Sequence, residues 1–197
     1  MGMSDESKEN KTHEAMKPKK PKTSSMDQLR SQRNWNLTRL NRAYMRLKER
    51  RFFDFLTVGT SNKKPEELLD FFKLPVFSCN YLIDIRNNPN SIHTPYWNKN
   101  SVWQLCKSQE IYYLHKPNLG VPSNIRKLFF SGQMSDKQFF SWYDNNVLTE
   151  ENMQEIVELV ENNNVSFMCT EIGPTYCHRP RLALKLEERL GYVSFDI

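Results

Sequence analysis

After Phe52 the chain alternates short β-rich runs with segments of helical period, and few folds accommodate that rhythm. FDFLTVGTS, NYLIDIRN, IYYLHKP, VSFMCTEI and YVSFDI read as strands. PEELLDFFKL, NKNSVWQLCKSQ, TEENMQEIVELVENN and HRPRLALKLEERLG read as the helices between them. Thr149 stands as an N-cap before Glu150 and Glu151, and Gly191 stops the last helix. Residues 123–148 form an aromatic-rich helical insertion. Alternation of this kind requires crossover connections and hence a parallel sheet covered by helices. The expected fold class is therefore α/β: a mainly parallel, Rossmann-like sheet of about five strands with helices on both faces.

In such sheets ligands bind beyond the carboxyl ends of the strands. The first four strands end in polar groups. The first runs out through Gly59, Thr60, Ser61 and Asn62, and the second through Asp84, Ile85 and Arg86. The third ends at His115 and the fourth at Cys169, Thr170 and Glu171. Strand side chains alternate, so Asp84 shares a face with Arg86, and Cys169 with Glu171. Such groups serve either as caps and ion pairs or as a functional crevice. Their gathering at one rim favours the crevice, with Asp84, His115, Glu171 and the turn from Cys177 to Arg179 expected in a common pocket.

That turn belongs to CTEIGPTYCHRP, residues 169–180. Pro180 suits a first helical turn, which places Cys177 and His178 at the positive end of a helix dipole beside Arg179. A thiol there loses its proton more easily, and an anion there meets free N–H groups. Spacing narrows the chemistry. Seven residues intervene between Cys169 and Cys177, which matches no compact zinc knuckle, and the zinc-deaminase pattern is missing. No metal or other cofactor is therefore expected, with zinc as the lesser alternative. A phosphatase loop needs an arginine six positions after its cysteine, where Ala183 and Thr175 stand instead. Neither C-x-x-C nor a glycine-rich nucleotide loop occurs. What survives is a carboxylate pair, Asp84 and Glu171, beside Arg86, His115 and the Cys-His-Arg turn. Such a set suits water activation or cation stabilisation next to a phosphate.

Charge divides the chain differently. Residues 17–51 hold twelve Lys or Arg and two acids, a net of +10, whereas the whole chain carries +5. Residues 1–16 carry −2, which leaves −3 for residues 52–197. Residues 1–25 are too polar to offset their ordering entropy and are expected to be disordered. Over residues 26–53, Leu37, Leu40, Tyr44 and Leu47 recur at helical steps beside Arg39, Arg42, Arg46 and Arg50. That is a basic amphipathic helix, suited to phosphate contacts with DNA or RNA. Residues 54–197 remain as the α/β domain. No apolar run is long enough to span a membrane, and no secretory signal is evident. Four unevenly spaced cysteines then read as reduced thiols in an intracellular protein, cytoplasmic or, in a nucleated host, nuclear.

The segments TVGTSN, LIDIRNNPNS, YWNK, YYLHKPNLG and MCTEIGPTYCHRPRLA together resemble the domain-of-unknown-function family 488, over about residues 55–197. Members share a G-H-S-N turn, a D-x-R, an H-x-P-x-L-G and a C-x-E-x-x-P-x-x-C-H-R. The resemblance implies functional positions at Gly59, Ser61, Asp84, Arg86, His115, Cys169, Glu171, Cys177, His178 and Arg179. Thr60 departs from it, standing where the family usually has histidine.

Three functional readings follow. The first is a hydrolytic enzyme on nucleic acid or a nucleotide-like phosphate ester, removing a base or cleaving a phosphoester. In it Asp84, Glu171, His115, Cys177 and His178 are catalytic, while Gly59, Ser61, Arg86, Arg179 and Cys169 bind substrate or phosphate. Trp97, Phe129, Phe130, Phe139, Phe140, Trp142 and Tyr143 are either core packing or platforms for a base. The second is a non-catalytic nucleic-acid or protein-binding module, and the third a thiol enzyme on a small metabolite with a reactive Cys177.

Overall fold

A computed structural model describes residues 53–74, 78–171 and 176–197 of the chain. The tail over residues 1–25 and the basic helix over residues 26–53, with Arg39, Arg42, Arg46 and Arg50, lie outside the described residues, save Phe53.

The strands are β1 (Phe55–Gly59), β2 (Tyr81–Asp84), β3 (Tyr112–His115), β4 (Val165–Cys169) and β5 (Ser194–Asp196). They form one sheet in the order β3-β2-β4-β1-β5, and every pairing is parallel. Helix α1 (Pro65–Phe72) leads from β1 to β2, and α2 (Lys99–Ser108) from β2 to β3. The chain returns through α3 (Ser123–Phe130), α4 (Asp136–Asn146) and α5 (Glu150–Asn162) to β4, then through α6 (Arg179–Leu190) to β5. The first two crossovers step one way across the sheet and the last two step back. Crossovers of one hand therefore lay α1 and α2 on one face and the remaining helices on the other.

The two cores record this division. Leu68, Leu69 and Phe72 of α1, with Val102 and Cys106 of α2, pack on Leu56, Val58, Leu82 and Met168. On the opposite face Met153, Ile156 and Val160 of α5, with Leu182, Leu186 and Leu190 of α6, pack on Phe55, Ile83, Val165 and Phe167. Strands β1 and β4 are buried along their whole length, which explains why they are apolar on both faces save for Thr57 and Ser166.

Local signals set the helix ends. Thr149 Oγ1 accepts the Asn152 N–H at 3.4 Å at the start of α5. Ser135 and Gln138 cap α4 reciprocally, since Gln138 Oε1 accepts the Ser135 N–H at 2.9 Å. Gly191 ends α6 at φ 67°, a conformation that glycine adopts without steric cost. The Rossmann-like class read from the sequence is the fold found. Among the described residues no helix is long and apolar enough to cross a membrane.

Candidate functional site

Register places the strand ends side by side. Gly59 pairs with Cys169, and Asp84 pairs with both Met168 and His115. Side-chain alternation then separates them. Cys169 faces the α5–α6 side with Val165 and Phe167, whereas Asp84 follows Leu82 toward the α1–α2 side. The expected common pocket is thus two groups, back to back across the sheet.

On the α5–α6 side Cys169, Cys177 and His178 are buried, and Glu171 reaches them from the end of β4 with its side chain 14% exposed. The Cys169 thiol donates to Glu171 Oε2 at 2.6 Å, and the Cys177 thiol donates to the same oxygen at 3.4 Å. Both ring nitrogens of His178 lie 3.9 Å from Cys169 Sγ. The ring packs against Tyr143, whose ring centroid is 5.1 Å away. Arg126, from α3, donates to the other Glu171 oxygen, Oε1.

These neighbours set the charges. Burial alone raises the Glu171 pKa, but the Arg126 charge, the Cys169 hydrogen bond and the His178 charge outweigh it and hold the carboxyl at about 2. Burial pulls His178 below the usual imidazole range, against the opposing pull of Cys177 and Glu171. The Cys177 thiol is pushed well up, first by burial and then by Cys169. That runs against the expectation of an activated thiol at a helix start: α6 does begin at Arg179, but burial is the largest influence on this sulfur and raises its pKa.

Arg179 is fully buried. Its Nε donates to Asp196 Oδ1 at 2.8 Å and its Nη1 to the Glu171 carbonyl at 2.5 Å. The guanidinium therefore joins β4, α6 and β5, and Thr57 completes the arrangement by donating to Asp196. In that position it ties the frame together rather than presenting itself to a phosphate.

On the α1–α2 side Asp84 has no exposed surface. Arg86 grips it with Nε to Oδ1 at 2.8 Å and Nη2 to Oδ2 at 2.6 Å, and the Arg86 N–H adds a third bond at 3.0 Å. The Tyr113 hydroxyl donates to Oδ2 at 2.6 Å, and Arg86 Nη2 also reaches the Trp97 carbonyl at 2.8 Å. This buried pair is satisfied by its own partners, so neither residue is presented to a ligand. His115 Nε2 lies 2.9 Å from the Arg86 carbonyl, which holds the third strand's end to the second's.

The other glycine and hydroxyl positions also bind segments together. Ser61 Oγ donates to the Thr170 carbonyl at 2.6 Å, and the buried Thr60 donates its N–H to the Cys169 carbonyl at 3.0 Å. The Gly59 carbonyl accepts Lys63 Nζ at 2.9 Å. Gly120 closes the His115–Gly120 segment against the loop after β2. A Cβ there would stand 2.4 Å from Asn87 N and 2.6 Å from the Ile85 carbonyl oxygen, both backbone atoms. Of the aromatic candidates, Trp97, Phe129, Phe139 and Tyr143 are core, and Phe130 is 62% exposed. A cavity of about 600 Å³ between α2 and β3, lined by Trp103, Lys107 and Tyr113 among others, includes none of the cysteine–glutamate group.

Residues 64–186 match the family described as Domain of unknown function DUF488. The chain belongs to this family. No curated protein and no solved structure matches it. In this DUF488 protein the D-x-R and H-x-P-x-L-G segments serve the α1–α2 side and the joints between loops. The cysteine-rich segment forms the other group. Sequence reasoning missed Arg126 and Tyr176. Nothing near Arg126 in the chain signals a site, because it reaches Glu171 across 45 positions. Tyr176 stands in the cysteine-rich turn itself, but its meeting with Phe129 at 6.1 Å exists only in the fold.

Proposed function

We propose that this protein is a hydrolytic enzyme acting on nucleic acid or a nucleotide-like phosphate ester, and that removal of a base is its reaction. The observation that carries the reading is Glu171, an ionised carboxylate held by Arg126 at the mouth of a buried polar group. A carboxylate whose pKa lies at about 2 is a weak base but a strong partner for positive charge. Cleavage of an N-glycosidic bond develops that charge on the sugar. The C1′–N bond breaks with its electron pair leaving on the base, which takes up a proton. Water forms the new C1′–O bond and releases its proton to solvent.

The surroundings supply contacts for such a substrate. Phe130 and Tyr176 are exposed and both neighbour Phe129, at 5.3 and 6.1 Å between ring centroids. Each offers a face on which a base can stack. Arg126, a third exposed, lies 5.7 Å from the Phe130 ring and is the cation best placed to meet a phosphate. The basic segment between Lys17 and Arg51 would add sequence-independent contacts and a steep dependence on salt.

The test uses the full chain with single- and double-stranded DNA and RNA oligonucleotides at low salt, with binding read by fluorescence anisotropy and free base by chromatography. The expected result is binding together with base release, and a loss of release of about 100-fold or more in Glu171→Gln with binding retained. Binding without release of base or phosphoester product would leave a non-catalytic module. Absence of binding would remove the substrate class.

A further inference from the structure

Two sulfurs, one carboxylate oxygen and one imidazole nitrogen, from Cys169, Cys177, Glu171 and His178, lie within 4.8 Å of one another. We propose that these four side chains form a binding site for a divalent transition metal of the zinc class. The inference does not depend on base removal, although either role draws on the same carboxylate.

The donor set argues first. Two thiolates and an imidazole favour zinc and its neighbours over magnesium or calcium, which prefer oxygen ligands. Around a tetrahedral zinc with bonds of about 2.0–2.3 Å, ligand atoms stand roughly 3.3–3.8 Å apart. The donors stand from 2.6 Å apart to within 4.8 Å, which spans that range; to admit an ion, Cys169 and Glu171 would part and the His178 ring would turn one nitrogen inward.

The surrounding contacts argue second, because good metal sites orient their ligands from outside. Arg126 occupies Glu171 Oε1 and leaves Oε2 directed at the two sulfurs. The Arg179 N–H points to Cys177 Sγ at 3.4 Å, as backbone amides do toward bound thiolates. The Tyr143 ring, 5.1 Å away between centroids, packs against the His178 ring. Charge argues third. Two thiolates and a carboxylate carry −3, a divalent ion brings this to −1, and the Arg126 guanidinium beside Glu171 brings it to zero. Cys169, Cys177 and His178 are buried, so Glu171 is the ligand on the solvent side and the one most readily exchanged for water.

Spacing concealed this arrangement because the fourth strand and the start of α6 meet only in the fold. The ligands lie at Cys169 and Glu171 on one side of the turn, and at Cys177 and His178 on the other.

The test is metal content and cobalt spectroscopy on the full chain, expressed with added zinc and purified without a metal-binding tag. About one zinc per chain is expected by mass spectrometry. Replacement by Co²⁺ should give a sulfur-to-metal charge-transfer band and the visible bands of a tetrahedral site. Cys169→Ser and Cys177→Ser should each weaken the charge-transfer band, and Cys106→Ser should leave it unchanged. Because cysteine variants risk misfolding, Arg126→Ala provides a second arm at a partly exposed position. It should keep the native circular dichroism spectrum while Co²⁺ affinity falls about 10- to 100-fold. Less than about a tenth of an equivalent of zinc with no charge-transfer band overturns the proposal. So does a Cys169–Cys177 disulfide in protein purified anaerobically, or a band that survives loss of both cysteines. Metal retention without base release overturns the hydrolytic reading alone. Release that depends on Glu171 in protein that takes up neither zinc nor cobalt overturns the metal site alone.

Discussion

The sheet carries two buried polar groups on opposite faces, and they are built differently. Around Asp84 the charges are closed upon themselves: one carboxylate, one guanidinium in a two-pronged grip, a tyrosine hydroxyl and a backbone carbonyl. Around Glu171 the balance is lopsided. Two sulfurs and an imidazole crowd one carboxylate, and among the described residues the guanidinium on that carboxylate's oxygens comes from the partly exposed Arg126. A group that satisfies itself holds strands together. A group with surplus electron-pair donors and a path to solvent is equipped to take something in.

The sharpest way to break that comparison is to remove one cation from each group. Arg86→Ala leaves a fully buried carboxylate without its partner and should cost about 3–5 kcal/mol of unfolding free energy, measured by urea titration. Arg126→Ala should cost less, about 1–3 kcal/mol, because its guanidinium is a third exposed and Glu171 keeps 14% of its side chain in water. Equal costs would mean that both groups are structural.

A smaller effect sharpens the contrast between thiols that pack and thiols that belong to a site. Burial pushes Cys79 and Cys106, on the α1–α2 side, up to about 12 from the ordinary 9.0. The unfolded chain therefore ionises first as pH rises. The stability these thiols contribute is fully present below pH 9 and is lost between 9 and 12, at no more than about 1.4 kcal/mol per pH unit for each. Urea midpoints measured from pH 8 upward should fall less steeply in Cys106→Ala than in the parent chain. Parallel slopes would show that burial does not govern this thiol.

The smallest expected effect is a difference near zero. In the native protein at neutral pH, iodoacetamide should modify Cys177 no faster than Cys79 or Cys106, as read by peptide mass mapping, because all three sulfurs are buried. Faster reaction of Cys177 would restore the thiol-enzyme reading.

Much of the frame was legible in the chain. Period and turn residues placed all five strands, and Thr149 and Gly191 marked the ends of α5 and α6 where the caps are found. The candidate residues were legible by type, since Asp, Arg, His and Cys at strand ends are unusual for plain turns. Their division into two groups was not. It depends on which face each side chain takes, and register between β2 and β4 is a property of pairing across 84 positions. Arg179 shows the same limit. Its position at the start of a basic helix suggested phosphate, whereas its partner Asp196 comes from the final strand.

The sequence by itself determined the layered α/β class, because hydrophobic period and turn chemistry act over a few neighbouring residues and need no distant partner. Only the tertiary structure decided which carboxylate is closed and which is open. That outcome depends on the guanidinium, hydroxyl or sulfur that folding brings within hydrogen-bonding distance, and on how far each is removed from water.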